Sequence, residues 1–142
     1  VNAALSMTYT LLAHDCASAL ESVGLDAYVG FMHTDRPGRR SLALDLVEEF
    51  RAIMCDRFVI SLINKRIINN GDFEKREDGA VLLSEDGRKV FLTHWQNRKQ
   101  DVVMHPFLKE KVEWGLLPYI QALLLSRYIR GDLDEYPMLL WR

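Results

Sequence analysis

Apolar side chains recur every three or four positions over most of the chain, which is the spacing of an amphipathic helix. From Asn2 to Glu21 this spacing predicts a first helix, which Gly24 ends. A second helical pattern begins at Ser41, a suitable N-cap, and runs to about residue 69 without Gly or Pro. A break near residues 51–56 would divide this stretch, and we favour two helices over one.

The second half of the chain combines one hairpin with further helical stretches. An Asp-Gly dipeptide between two short apolar runs predicts a β-hairpin over residues 73–83. Ser84 then has the position of an N-cap for another helix. Residues 107–130 show a last helical pattern, which Pro118 is expected to kink or restart. The sequence therefore predicts a mainly α, multi-helix domain with one small β-hairpin and an irregular tail.

Composition agrees with one globular domain. The 142 residues are 49% apolar and 27% charged, so residues 1–142 are predicted to form a single domain with a real core. No apolar run reaches the roughly 20 residues that cross a bilayer, and no signal-like segment is present. Cys16 and Cys55 lack a Cys-x-x-Cys partner and are predicted to be reduced, buried thiols. We expect a soluble, cytoplasmic protein without a membrane partner.

The net charge of the chain does not by itself indicate nucleic-acid binding. The net charge is -2, so any such interaction must depend on local clusters of basic residues. Three clusters are present in the sequence: Arg36, Arg39 and Arg40; Arg57, Lys65 and Arg66; and Arg88, Lys89, Arg98 and Lys99.

A histidine and two acids around the first of these clusters form a candidate metal site. Asp45 and Glu48 are three apart on a predicted helix, so both carboxylates project to one side, whereas Glu49 points elsewhere. His33 precedes a turn that would bring its imidazole back toward them. Carboxylate oxygens suit Mg²⁺ or Mn²⁺, and an added imidazole shifts the preference toward Mn²⁺.

This pattern favours phosphodiester chemistry if the metal polarises a phosphate. The three arginines of the connecting turn, Arg36, Arg39 and Arg40, would then bind the flanking phosphates without reading sequence. The pattern alone favours a simpler interpretation: the acids form the solvated face of an amphipathic helix and pair with Arg51 or Arg40. The other histidines, His14, His94 and His105, are better explained as packing or capping residues.

A family resemblance is carried by the sequence of residues 30–57, GFMHTDRPGRRSLALDLVEEFRAIMCDR. This segment resembles the CRISPR-associated spacer integrases (the Cas one family), which carry a Gly-Phe-x-His segment, a Gly-bearing loop and a Ser-Leu-x-x-Asp-Leu-x-Glu-Glu-Phe-Arg helix. The resemblance continues through residues 2–6, 62–64, 84–92 and 119–122, and is greatest to type I-C members.

The resemblance implies a metal-dependent DNA endonuclease and integrase. It assigns His33 and Glu48 as metal ligands, makes Asp45 their neighbour in a catalytic set, and implies that Tyr9 and Asn2 line the cleft. The family's third ligand, a glutamate, lies before the segment matching residues 2–6. Since the chain starts at Val1 without an initiator Met, we expect a fragment that lacks this glutamate and the family's N-terminal β-sheet domain.

The resemblance also implies partners. These are DNA (protospacer and CRISPR array), a second copy of the full-length protein, and the Cas two protein. We expect little metal binding and no activity from the 142 residues alone. A catalytically silent helical module that binds DNA or protein, and a purely structural scaffold, are the competing hypotheses.

Overall fold

The computed structural model describes residues 2–25 and 41–139, with the side chains of residues 41–45 outside the description. Over these residues the fold is mostly helical, which confirms the predicted class. The helices are α1 (Asn2–Ser22), α2 (Ser41–Phe50), α3 (Arg57–Asn64), α4 (Glu85–Lys99) and α5 (Leu117–Ile129). The strands are β1 (Phe73–Lys75), β2 (Val81–Leu83), β3 (Val102–Met104) and β4 (Lys111–Glu113).

The first hairpin and the start of α4 agree with the sequence pattern. Strands β1 and β2 pair antiparallel, with Phe73 opposite Leu83. Gly79 has a φ of 87° in the connecting turn, a conformation that favours glycine. The Ser84 hydroxyl accepts a hydrogen bond of 3.0 Å from the N–H of Gly87 and so caps α4 as predicted.

The stretch predicted as two helices from residue 41 to 69 has a different junction and a different end. Residues Arg51–Asp56 form a π-helical segment, so α2 continues into α3 through a wider turn without a break. Helix α3 ends at Asn64, and Arg66 adopts a positive φ of 57° that stops the helix. The helical stretch therefore ends earlier than the apolar pattern predicted.

The helix predicted over residues 107–130 is wrong in its first part. Strand β4 occupies Lys111–Glu113, pairs antiparallel with β3, and is followed by a 3-10 turn at Trp114–Leu116. Helix α5 begins only at Leu117. Pro118 lies in its first turn, where a missing N–H breaks no helical hydrogen bond, so the helix starts here, as one of the two predicted outcomes, and no kink follows.

The core lies where α1 packs against α2 and α5. Four aromatic side chains extend it toward α4, with edge-to-face ring centroids 5.2–5.7 Å apart: Phe58, Phe91, Trp95 and Trp114. Both cysteines are free and buried, as predicted, and burial raises the pKa of Cys55 to about 12. In the described part of the chain, no helix is long and apolar enough to cross a bilayer.

Candidate functional site

A cleft of about 360 Å³ lies between α1 and the end of α2. Tyr9 and Thr10 line it from α1, and Glu48 and Arg51 line the opposite wall. The Glu48 and Arg51 side chains are 56% and 52% exposed, so both charges face solvent. We call this depression the Glu48 cleft.

A line of polar contacts runs through the Glu48 cleft. The Arg51 guanidinium lies 3.6 Å from the Glu48 carboxylate, and its Nε donates to the Tyr9 hydroxyl at 3.4 Å. The Tyr9 hydroxyl in turn donates to the Asp56 carboxylate at 2.7 Å. This hydrogen bond to Asp56 raises the pKa of Tyr9, so the phenol is held protonated with its oxygen oriented. Glu48, Arg51, Tyr9 and Asp56 thus form one connected set.

The π-helical segment explains how Arg51 and Asp56 both reach Tyr9. Positions five apart are about 140° apart around an α-helix and would face different directions. A π-helix bonds residue i to residue i+5, which brings such positions to one side. Single π turns are frequent at functional sites, and this one directly follows the helix that carries Glu48.

Glu49 points into the protein, whereas Glu48 points to solvent. Its carboxylate accepts hydrogen bonds from the Tyr136 hydroxyl at 2.6 Å, the Leu139 N–H at 2.8 Å and the Gln121 amide at 3.1 Å. Burial raises the pKa of Glu49, although these three donors oppose the shift. The contacts fix the rotation of α2 and hold the C-terminal segment against it. The solvated-face interpretation is therefore wrong for Glu49.

His105 orients the amide of Gln121 in this buried set. The His105 Nδ1 accepts from the N–H groups of Phe107 and Leu108, both at 3.1 Å, so its proton is on Nε2. Nε2 then donates to the Gln121 amide oxygen at 2.7 Å. The Gln121 NH₂ group is thereby directed toward Glu49. His105 is a buried capping residue, as the sequence predicted.

Tyr136→Phe tests how strongly this set holds the C-terminal segment. We expect the free energy of unfolding to fall by about 1–3 kcal/mol, because the buried Glu49 carboxylate loses its shortest donor. Urea denaturation of the chain measures the change. Tyr119→Phe on α5, where the side chain is 38% exposed, is the matched control and should be near neutral. Equal effects of the two substitutions would contradict the assignment.

The predicted site residues are only partly within the described structure. Glu48 lines the Glu48 cleft, and its role as a metal ligand stays a prediction. Asp45 lies on α2, but its side chain is outside the description. The remaining predicted residues lie outside the described ranges: His33, Arg36, Arg39 and Arg40.

Glu48 suits one ligand position of a divalent metal. Its carboxylate is exposed, and the 3.6 Å separation from Arg51 exceeds a normal hydrogen bond, so its oxygens are open to another partner. Such oxygens match the donor preference of Mg²⁺ and Mn²⁺. Within residues 2–25 and 41–139, no group of three or more His, Cys, Asp or Glu is close enough to hold a metal.

The sequence did not predict that Asp56 accepts a hydrogen bond from Tyr9, and it predicted Arg51 only as a surface partner of Glu48. The apolar pattern indicated an irregularity near residues 51–56, but its spacing did not show that a π-helical segment there brings Asp56 to Tyr9. Tyr9 entered through the family resemblance alone.

Comparison with known proteins identifies relatives of this chain. The family model described as CRISPR associated protein Cas1 matches residues 1–97. A Rhodospirillum rubrum protein named CRISPR-associated endonuclease Cas1 2 is 56% identical over 141 residues. That alignment covers 99% of this chain and 41% of the relative, so the chain spans about two fifths of the relative's length.

Two solved structures share the fold. A casposase bound to an integration product superposes with a TM-score of 0.82 at 31% identity, covering 94% of this chain and 38% of that one. A partial Cas6-RT-Cas1–Cas2 complex gives 0.76 at 26% identity, covering 98% and 41%. Together with the family model and the relative, they lead to one conclusion: the chain belongs to the Cas1 family of CRISPR-associated endonucleases.

Proposed function

We propose that this chain is the helical catalytic domain of a metal-dependent DNA integrase and endonuclease that acts in CRISPR spacer acquisition. Within the family, we propose that it is similar to type I-C members. The observation that carries the proposal is the arrangement of the two adjacent glutamates. Glu49 is fixed inside the protein, while Glu48 is exposed in a cleft beside Arg51 and Tyr9. Membership of the Cas1 family and the casposase likeness support the same reaction class.

Glu48 and His33 would hold Mg²⁺ or Mn²⁺, with Asp45 as the neighbouring acid of the catalytic set. A bound divalent ion supplies charge stabilisation to the phosphate under attack. A glutamate from a segment preceding the match to residue 2 would complete the ligands. Because the third ligand is assigned outside the chain, the 142 residues alone are proposed to be inactive.

The chain's own residues would bind and orient DNA for transesterification. A 3′-hydroxyl oxygen forms a new bond to phosphorus while the bond to the displaced 3′-oxygen breaks, so the number of phosphodiester bonds is unchanged and no external energy is needed. Arg51 would stabilise negative charge near Glu48, and Tyr9, held by Asp56, would present its hydroxyl to the cleft. Arg36, Arg39 and Arg40 would bind flanking phosphates.

The partners proposed from the resemblance are DNA, a second copy of the full-length protein and Cas2. The neighbour solved as a casposase bound to an integration product supports DNA as substrate. The neighbour solved as a Cas6-RT-Cas1–Cas2 complex supports Cas2 as partner.

A chimera tests the function directly. The chain replaces the matching 141 residues of the Rhodospirillum rubrum relative, and we call this protein the chimera. We expect DNA strand transfer with Mn²⁺ and none with EDTA, measured by joining of a labelled oligonucleotide to a duplex. The unmodified relative is the control. A folded but inactive chimera, beside an active relative, would contradict the proposal.

A silent helical binding module is the second candidate. The ion pair between Glu48 and Arg51 favours it, because a merely solvated helix face would show the same contact. This candidate predicts that the chimera binds DNA without any metal-dependent joining, so the same experiment decides between the two.

A further inference from the structure

A second depression, of about 450 Å³, lies between α3 and α4. None of its lining residues lines the Glu48 cleft. Its walls carry basic residues from two of the sequence clusters that the proposed catalytic site does not use. We call it the α3–α4 groove.

The α3 wall presents a straight row of donors. Arg57 and Ser61 of α3, and Lys65 directly after its end, line the groove at a spacing of four residues, which puts them on one side. The row spans two turns, about 12 Å at 1.5 Å per residue. Arg57 and Lys65 are exposed, and neither has an ion-pair partner among the described residues. Their positive charges are therefore uncompensated within this part of the chain.

The α4 wall adds further donors and one acid. His94 lines it, together with Asn97 and Arg98 about one turn further along α4. The Arg98 guanidinium lies 4.7 Å from the centre of the Trp114 ring and 2.6 Å from the Asp101 carboxylate, so its position is fixed and its charge is neutralised. Over the whole lining, two cations remain in excess.

The other basic residues of α4 are ion-paired or line another depression, so they do not add to the charge of the groove. Lys99 pairs with Asp15 at 2.8 Å, and Lys89 pairs with Glu85 at 3.9 Å. Arg88 lines a different depression, next to α1. The sequence cluster around Arg98 is thus divided in the structure, and only Arg98 from it joins Arg57 and Lys65.

The row of donors is long enough to face several phosphates of one DNA strand. One strand of a duplex carries a phosphate about every 3.4 Å along the helix axis, so a 12 Å row faces three to four of them. Phe58 and Leu62 form an apolar floor on which the stems of the basic side chains can lie while their charged ends reach outward.

We propose that the α3–α4 groove binds the phosphate backbone of one DNA strand through Arg57 and Lys65, as a contact site separate from the Glu48 cleft. The identity of the polymer as DNA rests on the proposed function. The contact is independent of sequence, because it reaches phosphates and no base edges.

The test measures DNA binding by the 142-residue chain as a function of salt. Anisotropy of a labelled duplex of about 20 base pairs gives the affinity between roughly 50 and 200 mM NaCl. Arg57→Gln/Lys65→Gln is expected to reduce the slope of log affinity against log salt by about 1.8, or about 0.9 per phosphate. Over this range the wild-type chain then loses about 12-fold more affinity than the variant.

The matched control is Arg76→Gln/Lys111→Gln, which removes the same two charges from exposed positions in the two hairpins. It should leave the slope close to that of the wild-type chain. Asp101→Asn is expected to act in the opposite direction, because it frees the Arg98 guanidinium for phosphate: the affinity and the slope should both increase. Circular dichroism confirms that each variant is folded.

Each outcome has a definite meaning. If the wild-type chain binds DNA but the groove variant has an unchanged slope, the groove proposal is wrong and the proposed function stands. Competition by polyglutamate as effective as that by DNA at equal charge would assign the groove to acidic protein and overturn the proposal. A folded chain without DNA binding at low salt would overturn the groove proposal, whereas the chimera's joining reaction tests the catalytic function separately.

Discussion

Glu48→Gln or His33→Ala in the chimera is expected to lower the rate of DNA strand transfer at least about 100-fold at saturating Mn²⁺. Mutating groups that merely support metal ligands typically costs 10–100-fold in activity or metal affinity, so loss of a ligand should reach or exceed the upper end. The rate of product joining and the Mn²⁺ affinity, measured by calorimetry, should fall together.

The stability of the protein separates this effect from unfolding. Glu48 is exposed, and its ion pair with Arg51 is worth about 0–1 kcal/mol, so Glu48→Gln should leave the free energy of unfolding nearly unchanged. Glu85→Gln is the matched control, since it breaks another exposed ion pair, 3.9 Å long, on α4. Strand transfer within about threefold of wild type after Glu48→Gln would remove Glu48 from the metal site.

Elements with a local signal could be predicted from the sequence. The first hairpin follows from its Asp-Gly turn, and the Ser84 cap follows from the residue type. The second hairpin could not be found, because its strands are three residues long and the spacing of Val112 and Leu116 imitates a helix. Such short strands carry too few alternating positions to show a period of two.

The candidate site was predictable to the extent that it depends on neighbours in sequence. The different directions of Glu48 and Glu49 follow from helical geometry, since adjacent positions are about 100° apart. The hydrogen bonds that hold Glu49 do not follow from helical geometry, because Tyr136 is 87 positions away in the sequence and Leu139 is 90. The pairing of Tyr9 with Asp56 likewise crosses 47 positions and depends on a π-helical turn.

Trp95→Ala is expected to reduce the free energy of unfolding by about 3–5 kcal/mol, the usual cost of removing a large buried aromatic side chain. Trp95 is 1% exposed, and its ring centre lies 5.2 Å from that of Phe58 and 5.7 Å from that of Trp114. The substitution removes both edge-to-face contacts and leaves a cavity between α3 and α4. Urea denaturation of the 142-residue chain measures the loss.

The same substitution links the core to the α3–α4 groove, because Phe58 contacts Trp95 on one side and lines the groove on the other. Val90→Ala, on α4 but 39% exposed, should cost no more than about 0.5 kcal/mol and controls for the helix itself. Trp95→Phe keeps an aromatic ring and should fall between the two. A loss below about 1.5 kcal/mol for Trp95→Ala would mean that the cavity collapses freely. In that case α3 and α4 are not held at a fixed separation, and the row of donors on α3 would have no rigid opposite wall.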